Sequence, residues 1–469
     1  MSDRVAPQSL AEMHERLAAG HTTLEEELSC LLARVGSQEK KIHALVNDES
    51  AAERKKRIFA AAADLEQRWP DSGDRPPLFG ALVGIKDLFH VTGFPTRGGS
   101  ALPAEVFEEA GAPGAPAQGA HEAATVSALR EAGAIVLGKT VSTEFAYFAP
   151  GPTRNPWNPE HTPGGSSSGS AAAVASGMCH LAMGTQTIGS ITRPASFCGV
   201  TGYKPSFGRV STDGVIPFSP DADHIGPIAA DVDTLALAAG VLVSDWRGLS
   251  PQPTRPAAGI SAVPEHPDFR HSFGPVLVPD DAYTDQADDS GRAALEGIIE
   301  RLTGLGVVVQ RVGIFDDIDA INRAHQAMIA RDFAEIHADW ADRYRDRYHQ
   351  RSLELIDRGS GVSDAERETA RQGRFELRHR LNETLERHGA RLWLAPATVG
   401  EAPHGIEGTG DPIMNLPWTY AGVPTVSISA AGLPHGRGPH GLPLGVQCAG
   451  PFGADEALLD QIRVMERFV

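Results

Sequence analysis

The run TPGGSSSGS at residues 162–170 places small hydroxyl side chains between glycines, which makes this segment well suited to covalent chemistry. A serine hydroxyl becomes a useful nucleophile when a nearby base takes its proton. The apolar stretch AAAVASGM follows at once. Because alanine favours helices, the serines mark the start of a helical segment and not a flexible linker.

Two other interpretations of this segment are disfavoured. A phosphate-binding loop requires a lysine directly after its glycines, and this run has none. Residues 165–169 match G-x-S-x-G with Ser167 as the nucleophile, which is the pattern of an α/β-hydrolase elbow. Such an elbow follows directly on a strand, whereas the three prolines of NPWNPEHTP at 155–163 prevent a central strand there.

Two more motifs accompany the serine-rich run. GALVGIKDLFHVTGFPTRGGS occupies residues 80–100, and GTQTIGSITRPASFCGVTGYKPSFGRVS occupies residues 184–211. Together the three motifs resemble the amidase signature family over about 130 residues. Weaker matches, HIGPIAADVD, APAT, NLPWTYAGVPTVSIS and GLPLGVQ, extend the resemblance towards the C-terminus.

The resemblance implies a catalytic triad of two serines and a lysine. Ser190 matches the family nucleophile, and Ser166, 24 positions earlier, matches the bridging serine. Lys86, in the motif GIKD, matches the base. In the family the peptide bond before the bridging serine is cis, which here is the bond between Gly165 and Ser166.

The chemistry of amide hydrolysis accounts for these residue types. An amide carbonyl is a weak electrophile, so the attacking serine needs a base, and a lysine is a base only when it is neutral. Burial lowers the pKa of lysine from about 10.4, and the apolar setting ALVGIK is compatible with a buried Lys86. A hydroxyl both accepts and donates a hydrogen bond, so Ser166 can relay a proton from Ser190 to Lys86.

Acyl transfer also needs donors for the oxyanion that develops on the substrate. The turn made by Thr187, Ile188, Gly189 and Ser190 exposes consecutive N–H groups, and the resemblance assigns these four amides to the oxyanion hole. Ile188 stands where a second glycine is common in the family. It keeps the donor but narrows the pocket, so we expect it to affect substrate shape more than catalysis.

Arg193 has two candidate roles. It can bind an acidic group of a substrate, or it can hold a loop through a carboxylate such as Asp223. Some family members have arginine one position earlier, where this chain has Thr192, which weakens a prediction of glutamine-type specificity. Three neighbours are interpreted as packing or supporting groups: Gln186, Cys198 and Tyr203.

The predicted substrate-binding residues are Gly165, Arg193, Phe145 and Trp418. The aromatic members, with Tyr147 and Phe148, indicate an aromatic pocket, although packing in the core explains them equally well. We expect specificity to be set by the segments around 142–148, 318–390 and 411–420, because loops carry the differences between enzymes that share a fold.

Composition argues against several classes of function. The formal net charge of −18 repels nucleic acid and anionic membrane surfaces. The eighteen histidines show neither H-E-x-x-H nor clustering with cysteine, so we predict no metal and no cofactor. The most apolar stretch, 171–188, is interrupted by His180 and Gln186 and is a poor candidate for a membrane span.

Cysteine usage and the N-terminal segment predict a cytoplasmic location. The four cysteines are far apart, as expected for free thiols in a reducing compartment: Cys30, Cys179, Cys198 and Cys448. The segment MSDRVAPQSLAEMHERLAAG carries charges throughout and has no apolar core of a secretion signal.

The elements that position these residues form an α/β pattern. The runs ALVGI and AIVLG predict buried strands, and the amphipathic segment 121–132 between them predicts a crossover helix. This order predicts a layered α/β architecture. The resemblance makes it an α/β/α amidase-signature fold with a central mixed β-sheet flanked by helices.

We predict a single amidase domain over residues 1–469. Its parts are an N-terminal helical cap at 1–70, the signature core at 80–230, a proline-rich connection at 250–275, a helical lid or wall at 318–390 and a C-terminal sheet portion at 391–469.

We therefore predict a hydrolase of linear amide C–N bonds that cleaves a small carboxamide to a carboxylic acid and ammonia or an amine through an acyl-enzyme on Ser190. The alternative is an acyltransferase or a glutamine-dependent amidotransferase subunit with the same triad. The predicted partner is a small-molecule amide, and the sequence leaves a homodimer open.

Overall fold

The computed structural model describes residues 6–109, 111–115, 122–249 and 273–468. The proline-rich connection predicted at 250–275 lies outside these residues except for its last three positions. Among the described residues, no helix has both the length and the apolar composition needed to span a bilayer.

Ten strands in the described part of the chain form one sheet. They are β1 Leu82–Lys86, β2 Ile135–Thr140, β3 Leu181–Gln186, β4 Thr201–Lys204, β5 His224–Ala229, β6 Val276–Pro279, β7 Val309–Val312, β8 Leu392–Pro396, β9 Thr425–Ser429 and β10 Gly445–Ala449. Their order across the sheet is β2-β1-β3-β5-β4-β9-β10-β8-β6-β7.

The sheet contains both kinds of strand pairing. β1 is parallel to β2 and β3, and β6 is parallel to β7 and β8. The central neighbours from β3 to β8 in the sheet order pair antiparallel. The prediction of a central mixed sheet is therefore confirmed.

Helices cover both faces of the sheet. They are α1 Leu10–Ala18, α2 Leu24–Ile42, α3 Ala51–Arg68, α4 Ala124–Glu131, α5 Ser168–Ala175, α6 Thr192–Cys198, α7 Val232–Leu242, α8 Ala282–Asp285, α9 Asp289–Gly304, α10 Ile318–Tyr344, α11 Gln350–Ser360, α12 Asp364–Arg387, α13 Leu416–Ala421 and α14 Asp455–Met465. Short 3₁₀ turns lie at Ser72–Asp74, Ala104–Phe107, Glu144–Ala146 and Arg345–Arg347.

Alternate residues of the central strands enter two hydrophobic cores. In β1, Leu82 packs in one core, whereas Val83 and Ile85 pack in the other. All five residues of β1 are buried. A strand covered on both faces is apolar along its whole length, which explains why this run is recognisable as a strand in the sequence. The sheet is the middle layer between two layers of helices.

The N-terminal helices pack on one face of this sheet. α2 begins with a capping box, in which the Thr23 side chain accepts from Glu26 N and the Glu26 carboxylate accepts from Thr23 N. Its buried leucines, Leu24, Leu28 and Leu31, join the same core as Leu82. These contacts place α2 against the edge of the sheet that carries β1 and β2.

The region predicted as a lid or wall is built from α10, α11 and α12. Its predicted inward positions are buried at Tyr348 and Leu355 and half-buried at Tyr344 and Leu353. Phe333 of α10 packs its ring 4.8 Å from that of Phe218. The long helix α10 therefore lies against the loop before β5.

Candidate active site

Lys86 is fully buried at the end of β1. Its Nζ lies 2.7 Å from Ser166 Oγ and 2.8 Å from Thr185 Oγ1. Burial lowers the pKa of Lys86 well below its usual 10.5, and the negative charge of Asp223 acts in the opposite direction. This environment favours the neutral amine, which is the form that accepts a proton.

Ser166 is held by the turn that leads into α5. The peptide bond between Gly165 and Ser166 is cis, as the resemblance implies. Ser168 Oγ donates to Gly164 O at 2.8 Å, and Thr143 N donates to Ser166 O at 3.2 Å. The backbone on both sides of the relay serine is thus tied down, while its hydroxyl contacts Lys86.

Ser190 lies on the turn between β3 and α6. It is 8% exposed and lines the same cavity as Ser166. The hydroxyls of these two described serines do not hydrogen-bond each other. The structure therefore joins Lys86 to Ser166 directly and brings Ser190 to the shared cavity, and catalytic hydrogen bonds commonly tighten only when substrate binds.

Ser167, the nucleophile of the disfavoured elbow interpretation, lies elsewhere. It is fully buried and donates its hydroxyl to Thr185 O at 3.3 Å. It is not among the residues that line the cavity. Ser190 is in a position to meet a substrate, and Ser167 is engaged with the backbone of β3.

The four amides predicted to form the oxyanion hole belong to consecutive residues, Thr187, Ile188, Gly189 and Ser190. Within the described residues these N–H groups have no protein acceptor outside the sheet ladder. The next two amides, of Ile191 and Thr192, instead donate to Gln186 Oε1 at 2.7 and 2.9 Å. The turn therefore leaves a short row of donors available beside Ser190.

Asp223 supports this turn from the side. Its Oδ1 accepts from Thr187 Oγ1 at 2.5 Å, and its Oδ2 accepts from the amides of Phe218 and Ser219 at 2.8 and 3.0 Å. Burial raises the pKa of Asp223 to about 6, although these three hydrogen bonds favour the charged form. Asp223 is the charged group that acts on Lys86.

The cavity above the serines is narrow and mostly apolar. Its volume is about 10 Å³, which is space for roughly one water molecule. It is lined by Ala146, Tyr147, Phe148, Ser166, Thr187, Ile188, Ser190, Arg193, Phe218 and Pro412. An acyl group larger than a water enters only when some of these side chains move apart.

Arg193 binds backbone carbonyls and not Asp223. Its guanidinium donates to Gly410 O, to Gly165 O at 2.6 Å and to Thr409 Oγ1 at 3.2 Å. Burial lowers the pKa of Arg193 to about 9. Of the two roles considered, holding a loop fits these contacts, but the loop is that of residues 409–410 and its partners are not carboxylates. Arg193 also borders the cavity.

Phe145 and Trp418 lie in the packed interior. The Phe145 ring is 4.5 Å from that of His337 and 5.3 Å from that of Tyr348. Trp418 donates from Nε1 to the hydroxyl of Tyr283 at 2.8 Å. Neither lines the cavity, so core packing, the alternative considered for both, is what the structure displays. Gly165 instead adjoins the cavity through Ser166.

Three polar residues around the oxyanion turn carry contacts that sequence reasoning missed or understated. His325 Nε2 lies 2.9 Å from Thr187 O, and Thr419 Oγ1 donates to Ile188 O at 2.6 Å. Gln186 Nε2 donates to Thr419 Oγ1 at 3.0 Å. His325 and Thr419 lie in α10 and α13, far along the chain from the turn, so no local motif indicates them.

The fold and this buried lysine–serine pair define a serine amidase architecture, and comparison with known proteins agrees. A family model described as amidase matches residues 28–459. The chain belongs to this amidase family, whose signature motifs it carries.

Curated relatives carry a more specific name, that of a component of glutamyl-tRNA(Gln) amidotransferase. The chain is 31% identical over 497 residues to such a component from Synechococcus sp. (strain WH7803), covering 97% of this chain and 95% of that protein. A protein of the same name from Salinibacter ruber (strain DSM 13855 / M31) is 32% identical over 319 residues, and that match covers 65% of this chain but only 57% of the relative.

A solved structure gives the same fold. A crystal structure of an amidase superposes with a TM-score of 0.82 at 28% sequence identity, covering 98% of this chain and 99% of that one. The predicted α/β/α layered fold is therefore confirmed over nearly the full length.

Proposed function

We propose that the chain is an amidohydrolase that cleaves a small carboxamide to a carboxylic acid and ammonia or an amine through an acyl-enzyme on Ser190. The contact between Lys86 Nζ and Ser166 Oγ, 2.7 Å apart in the interior, carries the proposal. It supplies a buried amine with a depressed pKa and a hydroxyl beside the cavity that Ser190 also lines.

In the acylation step, Lys86 accepts the proton of the Ser166 hydroxyl while Ser166 accepts that of Ser190. The Ser190 oxygen forms a bond to the amide carbon, and the carbonyl oxygen takes the negative charge. The N–H groups of residues 187–190 stabilise that oxyanion. The proton then returns from Lys86 to the leaving nitrogen, and the C–N bond breaks.

In the deacylation step, a water molecule replaces the leaving nitrogen. The relay of Ser166 and Lys86 takes a proton from the water, whose oxygen attacks the acyl carbon. The ester bond to Ser190 breaks, the acid is released and the serine regains its proton. All protons are accounted for by the three side chains and the two reactants.

The lining of the cavity favours an uncharged substrate with an apolar acyl group. Tyr147, Phe148, Ile188 and Phe218 contribute apolar surface. Arg193 is the cationic side chain among the described lining residues, and its guanidinium is engaged by the backbone at 165 and 410. A substrate carboxylate would have to compete with those carbonyls.

A second candidate is a component of a glutamine-dependent amidotransferase, and the name of the curated relatives favours it. Such a protein would use the same acylation step with glutamine and deliver ammonia to a partner protein. An acyltransferase would replace water by an amine in the second step. The four free cysteines, three of them buried, fit the proposed cytoplasmic location.

The test combines a labelling experiment with a substrate panel. We expect a fluorophosphonate probe to label the wild-type chain and Ser167→Ala but not Ser190→Ala, whose amide turnover should fall by several orders of magnitude. The panel compares aliphatic amides, aryl amides, dicarboxylic monoamides and glutamine. Labelling that persists in Ser190→Ala contradicts the proposed nucleophile, and turnover confined to glutamine selects the amidotransferase.

A further inference from the structure

We infer that His325 and Thr419 are positioning residues that aim the oxyanion turn, defined as residues 187–190, at the cavity. This inference rests on the proposed function, because it concerns the stabilisation of an oxyanion on Ser190. Neither residue lines the cavity, so each acts through the backbone it holds.

The geometry of the peptide group links the two faces of the turn. In a trans peptide the C=O of one residue and the N–H of the next lie in one plane and point in opposite directions. Holding the carbonyl of Thr187 therefore sets the direction of the Ile188 N–H. In the same way, the carbonyl of Ile188 sets the Gly189 N–H, and that of Gly189 sets the Ser190 N–H.

Each of these three carbonyls has a bound donor. Thr187 O lies 2.9 Å from His325 Nε2, and Ile188 O accepts from Thr419 Oγ1 at 2.6 Å. Gly189 O accepts from Arg193 N at 3.0 Å, at the start of α6. The third contact is local helix geometry, whereas the first two come from α10 and α13 and exist only because those helices pack on the turn.

His325 is suited to this role because its ring nitrogens face different surroundings. Thr187 O is an acceptor, so Nε2 carries the hydrogen, and Nδ1 is buried without a partner in the described structure. Burial lowers the pKa of His325 to about 3, so the ring stays neutral and is not a proton carrier at neutral pH. Its contribution is a fixed donor.

Thr419 is fixed in turn by a neighbour of the turn itself. Gln186 Nε2 donates to Thr419 Oγ1 at 3.0 Å, while Gln186 Oε1 accepts the amides of Ile191 and Thr192. The Thr419 hydroxyl therefore has one direction in which to donate, which is towards Ile188 O. The backbone before and after the oxyanion turn is held by one connected set of hydrogen bonds.

Two matched pairs of variants separate the donor from the packing. His325→Phe keeps a ring beside Tyr420 and removes the donor, whereas His325→Gln places an amide N–H near the position of Nε2. Thr419→Val keeps the shape and removes the hydroxyl, whereas Thr419→Ser keeps the hydroxyl. The two pairs are independent, so if one variant fails to fold the other pair still decides.

The measurements are the rate constant of fluorophosphonate labelling at Ser190, and kcat and KM for the best amide of the panel. We expect His325→Phe and Thr419→Val to lower the labelling rate and kcat by about 10- to 100-fold, with KM changed by less than about threefold, because displaced donors weaken stabilisation of the tetrahedral state. His325→Gln and Thr419→Ser should stay within about threefold of wild type.

Two results would overturn the inference. One is labelling and kcat within threefold of wild type in a folded His325→Phe or Thr419→Val. The other is an equal loss in both members of a pair, which assigns the effect to packing. Failure of the proposed function is seen separately, in the wild-type chain, as absence of labelling at Ser190.

Discussion

Lys86 Nζ lies 2.7 Å from Ser166 Oγ, and no carboxylate of the described residues forms an ion pair with it. A second buried lysine, Lys139, differs in this respect, because its Nζ lies 2.8 Å from Asp87 Oδ1. An opposite charge at that distance stabilises an ammonium group. Of these two buried lysines, only Lys86 is placed to act as a neutral base.

We expect kcat/KM of the wild-type enzyme to rise with pH along an acid limb set by Lys86. The pKa of Lys86 is lowered by burial, so raising the pH removes its proton and produces the active base at a pH below the usual 10.5. Lys86→Met should lose this limb together with several orders of magnitude in rate. Profiles of kcat/KM against pH test this, and a flat wild-type profile counts against a lysine base.

We expect Asp223→Asn to move that limb to lower pH. The negative charge of Asp223 raises the pKa of Lys86, so removing the charge lets the lysine lose its proton more readily. Ser219→Ala is the control, because it disturbs the same turn and keeps the charge of Asp223. A limb that stays in place or moves to higher pH in Asp223→Asn contradicts the assigned interaction.

We expect Arg193→Lys to lower kcat/KM for neutral and acidic amides alike, by about 10- to 100-fold. A single ammonium cannot replace a guanidinium that bridges Gly165 O, Gly410 O and Thr409 Oγ1. Hexanamide and the monoamide of adipic acid, which have the same chain length, provide the comparison. A loss restricted to the acidic amide would instead show that Arg193 binds a substrate carboxylate.

Much of the fold could be predicted because buried strands have a local signature. β1 and β2 are apolar along their length, and the motifs around Lys86 and Ser166 lie on short, recognisable segments. β5 has no such signature, since its sequence HIGPIA contains a proline and its pairing with β3 is set by the tertiary fold. A strand of this kind is recognised only from its partner.

The supporting contacts of the site could not be predicted for two physical reasons. Arg193 binds backbone carbonyls, which every residue possesses, so no side-chain type indicates its partners. His325 and Thr419 are separated from the carbonyls they bind by 138 and 231 positions. Contacts over such distances depend on how the helices pack, which the periodicity of one sequence does not encode.

Phe145 and Phe148 illustrate the same limit, because three positions separate a core residue from a cavity residue. Phe145 and Ala146 have φ values of 47° and 62°, in the left-handed region that side chains other than glycine rarely adopt. This turn directs Phe145 into the interior and leaves Phe148 half-buried at the cavity. Mutation of the two rings should therefore have different consequences.

We expect Phe148→Ala to widen the cavity and raise kcat/KM for a bulky acyl group relative to acetamide by about tenfold, with little change in stability. Phe145→Ala should instead lower the free energy of unfolding by about 3–5 kcal/mol, as for other buried phenylalanines, and leave the ratio of the two substrates unchanged. Denaturant unfolding and the substrate ratio, measured on both variants, separate these effects. A shifted ratio in Phe145→Ala, with none in Phe148→Ala, would place the acyl group on the other side of this turn.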